Sequence, residues 1–228
     1  MSICLYAMCA DNGAFDLPVL KELLTAHALL TMQKEGLMLV YLEAGKLPNL
    51  TTTATQYDQI ITHLSYYTTA LPVRFPTLLQ DLPALTHWVE RNQMAIQEKL
   101  TNLAGKVEYT LLLRNTQAEN DIASLPALPT TTVGKYLKQK LAEYQPIIHK
   151  ENIVNAFLAQ YLPIFAQNST QHKRLAPAQP DIIWEAVFLI EISHLPAFLP
   201  ILETNFDLPP TIHLAYSGPW VCYHFATL

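Results

Sequence analysis

Apolar residues recur along the chain in two rhythms, and the rhythm predicts the elements. Residues 3–9, Ile-Cys-Leu-Tyr-Ala-Met-Cys, form a short apolar run closed by Asp11-Asn12-Gly13, the pattern of a strand. Leu20, Leu23, Leu24, His27 and Leu30 then step by threes and fours, predicting a helix with Asp16 as N-cap, Pro18 in its first turn and Gly36 as its end. Residues 37–42 read as a second strand. A polar start at 51–58 leads into a helix that buries Ile60, Ile61 and Leu64, and residues 70–75 return as a strand in which Pro72 argues for an edge position or an irregular ladder. Residues 81–103 carry the clearest helix. Asp81 caps it, Pro83 sits early, Leu85, Val89, Ile96, Leu100 and Leu103 form its stripe, and Gly105 terminates it.

From residue 107 the order changes. A strand over 107–114 and a loop over 115–132 precede two helices, 132–144 and 150–165, divided near Pro146. Residues 167–180 form a polar turn region with room for a short strand, and 182–190 is a buried strand. Ser193 is expected to cap a helix carrying Leu195, Phe198, Leu199 and Leu202. Two closing strands, 211–216 and 220–225, are separated by Ser217-Gly218-Pro219. The predicted class is α+β with two domains: an N-terminal α+β domain over 1–104, and over 105–228 a ferredoxin-like βαββαβ domain with extra inserted helices.

Composition narrows the function. Half of the 228 residues are hydrophobic and 14% are charged, against about 25% in an average globular chain. A disordered chain is excluded by that apolar content, and the few charges suit a surface that meets an apolar partner. The net charge of −5 is spread over both halves, so no basic patch invites nucleic acid. The residues from Leu208 to Leu228 carry no formal charge, yet Pro209-Pro210, Gly218-Pro219, His213 and His224 argue against a membrane span. Cys4, Cys9 and Cys222 stand at no metal-ligand spacing, and the first two, an odd number apart in a strand, should face opposite ways, so no disulfide partner is expected. With no signal-peptide start, the expected location is cytoplasmic.

Candidate chemistry is sparse. His27 reads as a hydrogen-bonded core histidine, and Glu191 with His194 is a poor metal pair because Ser193 between them looks like a cap. Gly134-Lys135 lacks the glycines of a phosphate loop. Arg74, between Val73 and Phe75 in an apolar strand, needs partners, and an ion pair or carbonyl cluster fixing it in the interior is preferred to substrate binding. No catalytic residue, cofactor site or metal site is nominated.

Four segments, in this order, resemble a known family. Leu71-Pro72-Val73-Arg74-Phe75 followed by Thr77 is similar to its LPxRFGT element. Glu108-Tyr109 after Gly105 resembles its G-x-x-EW strand, Gly134-Lys135-Tyr136-Leu137 its GRxYL helix start, and Gly218-Pro219-Trp220-Val221-Cys222-Tyr223-His224-Phe225 its GPWPPYSF ending. Together they resemble the gas vesicle protein GvpL/GvpF family, over about residues 70–228. Pro76 stands in place of the usual Gly, Tyr57 or its neighbour where a His is common, and Val221-Cys222 in place of Pro-Pro, the marks of a divergent member.

The motif residues have structural readings: Gly218-Pro219 as a rigid turn, Trp220 as a large buried anchor, Pro72 with Arg74 as an irregular, internally tied strand. The resemblance implies a minor structural or accessory protein of gas vesicle assembly, located at the vesicle. Its partners would be the small hydrophobic shell protein, met through the N-terminal domain, and other accessory gas vesicle proteins. The alternative is a small-ligand-binding protein or enzyme on a ferredoxin-like scaffold; a third reading is a scaffold whose edge strands pair with its own copies.

Overall fold

A computed structural model describes residues 2–43, 50–116 and 133–227, the side chains of 50–53 and 133–149 excepted. The loop expected over 115–132 lies outside these residues from 117 onward. The chain forms two compact units, Met1–Glu108 with Pro219–Leu228, and Tyr109–Gly218.

The first unit is built on a four-stranded sheet of order β2-β3-β1-β4, with β1 at Ile3–Ala10, β2 at Leu30–Lys34, β3 at Leu37–Glu43 and β4 at Ala70–Leu79. All its pairings are antiparallel. The central strand β1 is buried along almost its whole length. Its ladder is broken at Tyr6. Leu5 pairs with Thr77 but Ala7 with Pro72, so residues 73–76 bow out opposite one residue of β1. On the other side Leu5 pairs with Tyr41 and Ala7 with Val40, which makes Tyr6 a bulge there too. The bulge resets the alternation, so Cys4, Tyr6, Ala7 and Cys9 all enter one core cluster with Val40, Leu42, Leu20, Leu24, Ile60, Ile61 and Leu64. The expectation that Cys4 and Cys9 face opposite ways is thereby corrected. Both are free thiols, as is Cys222.

Two helices cover that face, α1 at Pro18–Ala26 and α2 at Leu50–Ser65. The sequence pattern alone runs α1 on to Gly36. Instead Leu29 N–H closes on Leu24 O at 2.8 Å and Ala28 N–H on Thr25 O at 3.1 Å, with Ala28 in the left-handed region at φ 53°. This is a Schellman stop made with Ala where Gly is usual, so nothing in the sequence marks it. The apolar stride then continues into β2, an unexpected strand, joined to β3 by Glu35 and Gly36, both at positive φ. Asp16 does not cap α1; it ends a short 3-10 turn, Ala14–Asp16, and the N-cap is Leu17.

The helix α3, Leu82–Leu103, matches expectation closely. Asp81 accepts from the Ala84 N–H at 2.8 Å, and Leu85, Val89, Ile96, Leu100 and Leu103 are buried, each burial stabilising by roughly 1.5–3 kcal/mol. None of the five belongs to the cluster on the α1 and α2 face. They pack against β1 and β4, where Leu5 and Met8 of β1 are also buried.

In the second unit the sheet order is β6-β7-β5-β8, with β5 at Lys106–Asn115, β6 at Gln171–Leu175, β7 at Ile182–Glu191 and β8 at Ile212–Trp220. The helices are α4, Val133–Gln167, and α5, Leu195–Leu202. Rings form the core: Phe165 lies 5.7 Å from Phe188 and 6.4 Å from Phe198, and Tyr109 lies 5.8 Å from Phe198.

Three expectations are corrected here. The helix α4 is not divided at Pro146; the missing N–H costs one hydrogen bond in a run of 35 residues, which a long helix tolerates with a bend. Ser193 lies inside a 3-10 turn, Ile192–His194, and α5 starts after it without a side-chain cap. Ser217-Gly218-Pro219 is not a turn between two strands. A single strand β8 runs through it, with Gly218 at φ 147°, because β8 lies at the sheet edge, where a proline leaves no ladder bond unmade. Residues 223–225 form a turn where the second closing strand is expected.

Candidate functional site

The first unit holds a cleft of about 700 Å³, half open to solvent. One wall is the irregular stretch of β4, which presents Pro72, Val73, Arg74 and Thr77. Met8 of β1 and Trp88 of α3 form apolar parts of the lining, and Tyr223 and His224 stand on the opposite, C-terminal segment.

Each wall is fixed by identifiable bonds. The excursion of β4 is held where the Tyr57 hydroxyl donates to Val73 O, and to Tyr6 O at 3.2 Å, while the Thr77 hydroxyl donates to Arg74 O. The Phe75 ring closes a triad, 4.9 Å from Tyr57 and 6.0 Å from Tyr6. Opposite, Lys99 Nζ donates to Phe225 O at 3.0 Å, the Tyr223 hydroxyl to Asp58 at 2.8 Å, and the His224 N–H to Glu108 Oε2 at 3.0 Å. The Cys222 thiol reaches Lys106 O at 3.5 Å, and Ala226 N–H folds back on Cys222 O at 2.9 Å.

The motif residues therefore divide. Pro72 and Arg74 meet Tyr223 across one cleft, with Phe75, Glu108 and Phe225 in its supports. Gly218 and Pro219 lie in β8. Gly134 and Tyr136 fall in the first turn of α4, where side chains are not described. Two roles are corrected. Arg74 is no internal tie: its guanidinium is exposed and makes no hydrogen bond or ion pair among the described residues, since the bowed stretch turns it to the cleft. Trp220 is no buried anchor, being 46% exposed at the end of an edge strand; Phe225, 2% exposed, fills that role. Met8, Trp88 and His224 had no sequence signal as cleft residues, although Trp88 does fall off the apolar stripe of α3.

The titratable groups here are set for structure. Burial raises Cys4 to about 11 and Cys9 and Cys222 to about 12. Burial also raises Tyr6 to about 12 and pushes Tyr57 and Tyr223 higher still, the latter aided by its bond to Asp58. These thiols and phenols stay protonated near neutral pH, without the lowered pKa of an activated nucleophile. Among the described residues no group of three or more metal-ligating side chains occurs. His194 and Glu191 lie 4.0 Å apart on the surface, and His27 is half-buried with its Nδ1 2.6 Å from Gln56 Nε2. No described helix is long and apolar enough to cross a membrane.

What the fold and cleft define is a mixed α/β protein of two sheet-based units, the first with a half-open cleft in which Arg74 has no partner among the described residues. The family model described as gas vesicle synthesis protein GvpL/GvpF matches residues 3–227, and the chain belongs to that family. The fold is shared with two crystal structures. Gas vesicle protein GvpF from Anabaena sp. PCC7120 superposes with a TM-score of 0.73 at 18% identity, covering 100% of this chain and 96% of that one. GvpF from Microcystis aeruginosa gives 0.68 at 17%, covering 100% and 99%. Comparison with curated protein sequences finds no match.

Proposed function

We propose that this chain is a minor structural or accessory protein of gas vesicle assembly, not an enzyme, which binds the small hydrophobic shell protein and other accessory gas vesicle proteins in the cytoplasm and at the vesicle. The observation that carries this reading is the family match over residues 3–227. The structure supports it in two ways. Burial keeps thiols and phenols of the first unit neutral, so these groups are not activated as nucleophiles. The first unit also exposes large apolar side chains, Tyr66 at 73%, Leu78 and Leu82 among them, which offer apolar surface to a partner.

Within this reading the N-terminal α+β part, 1–104, faces the shell protein. The part from 105 to 228 is a modified ferredoxin-like domain with a helical extension. Its element order, strand, helix, two strands, helix, strand, and its sheet order β6-β7-β5-β8 support that assignment.

Co-expression with the small shell protein tests the function. A stable complex on affinity purification is expected, and a strain lacking this chain should form absent or misshapen vesicles. Normal vesicles in that strain would falsify the reading.

A further inference from the structure

We propose that the cleft of the first unit receives an apolar segment of the partner protein that carries an acidic side chain, and that Arg74 holds its carboxylate. This rests on the reading of the chain as a shell-protein-binding accessory protein and names the chemistry of the contact.

The charges decide the sign of the ligand. Arg74 lines the cleft, is exposed, and has no partner among the described residues. Of the other described cations of the unit, Lys34 pairs with Glu90 at 2.9 Å, Lys99 with Phe225 O and Lys106 with Asn102 O at 2.7 Å, while Arg91 is exposed and lies outside the cleft lining. Among the described residues no Asp or Glu lines the cleft. Two carboxylates bind the C-terminal wall instead of Arg74: Asp58 Oδ1 accepts from the Tyr223 hydroxyl, and both oxygens of the buried Glu108 are engaged by the N–H and Nδ1 of His224. A chain of net charge −5 thus keeps one cation uncompensated within apolar walls, which concentrate its field. A guanidinium so placed matches a carboxylate through two parallel hydrogen bonds.

The walls decide what surrounds the carboxylate. Met8, Pro72 and Trp88 line the same cleft as Arg74, which favours apolar neighbours in the ligand over a bare anion. A half-open trough of about 700 Å³ suits a segment passing through it, whereas small-molecule sites enclose most of their ligand. The stretch bearing Arg74 is already fixed by Tyr57 and Thr77, so little ordering is needed on binding.

The test uses the full chain and overlapping synthetic peptides that tile the small shell protein, each acidic peptide paired with its Asn or Gln version. Wild type should bind a peptide in which an acid is flanked by apolar residues. Arg74→Glu should weaken that binding about tenfold or more with its thermal unfolding unchanged, Arg74→Lys should fall between, and the amide peptide should lose as much on wild type but no further on Arg74→Glu. Undiminished binding by Arg74→Glu, or indifference to the amide exchange, overturns the proposal. Capture of the whole shell protein by wild type and Arg74→Glu alike removes the cleft assignment while leaving the accessory function standing. Capture of neither protein nor peptide by wild type removes both.

Discussion

The imidazole Nδ1 of His224 lies 2.5 Å from Oε1 of Glu108, and the His224 backbone N–H donates to the other oxygen of the same carboxylate. Glu108 is 1% exposed, so these bonds replace the water it gave up. One buried carboxylate thereby pins the wall of the cleft to the start of β5. Glu108→Ala should lower stability by about 2–3 kcal/mol, the range for a lost charge-assisted bond that leaves a donor unsatisfied, and Glu108→Gln by less. Urea unfolding measures both; an unchanged midpoint for the alanine variant would refute the assigned role.

At the head of α3, Asp81 accepts from the Ala84 N–H at 2.8 Å. Asp81→Ala should cost about 1 kcal/mol and Asp81→Asn less, because the amide oxygen still accepts. The comparison of the two midpoints isolates the cap from any effect of charge on the helix end.

The parts of the fold that local signals dictate were readable, and those set by tertiary context were not. In α3, cap, early proline, stripe and terminating glycine all agree, and Pro72 points to an edge or an irregular ladder where β4 is both. The end of α1 was misread because Ala28 takes the left-handed position that usually announces itself as glycine. In β8 the Gly-Pro signal was genuine but an edge strand absorbed it. The site shows the same division. Arg74 stood out in sequence, but its direction depends on the bow of residues 73–76, and its meeting with Tyr223 and His224 joins segments about 150 residues apart.

The buried thiols predict sensitivity to alkali. Cys4, Cys9 and Cys222 have ordinary values of 9.0 and folded values of about 11 to 12, and Tyr6 rises from 10.0 to about 12. The native chain keeps these protons where the unfolded chain has lost them. Their contribution is therefore complete below pH 9 and lost as pH rises toward 12, at up to about 1.4 kcal/mol per pH unit for each group. The urea midpoint should be lower at pH 10 than at pH 7, and a thiol reagent at pH 8 should react with all three cysteines only on unfolding. A midpoint that rises with pH would contradict the burial of these groups.

The closing segment offers the sharpest contrast between two aromatic residues five positions apart. Sequence favours Trp220 as the anchor because it is the larger ring, but it lies at the exposed end of β8, while Phe225 is enclosed beside Cys222 and Ala226, and its carbonyl takes the Lys99 ammonium. Phe225→Ala removes a fully enclosed ring and should cost about 3–5 kcal/mol. Trp220→Ala removes a ring that still meets water on nearly half its surface and should cost well under half of that. The contrast reaches the cleft, because Phe225 holds the wall that carries Tyr223 and His224. A Phe225→Leu variant, which keeps most of the volume, should unfold between wild type and Phe225→Ala; equal losses for Trp220→Ala and Phe225→Ala would show that the anchor has been misplaced.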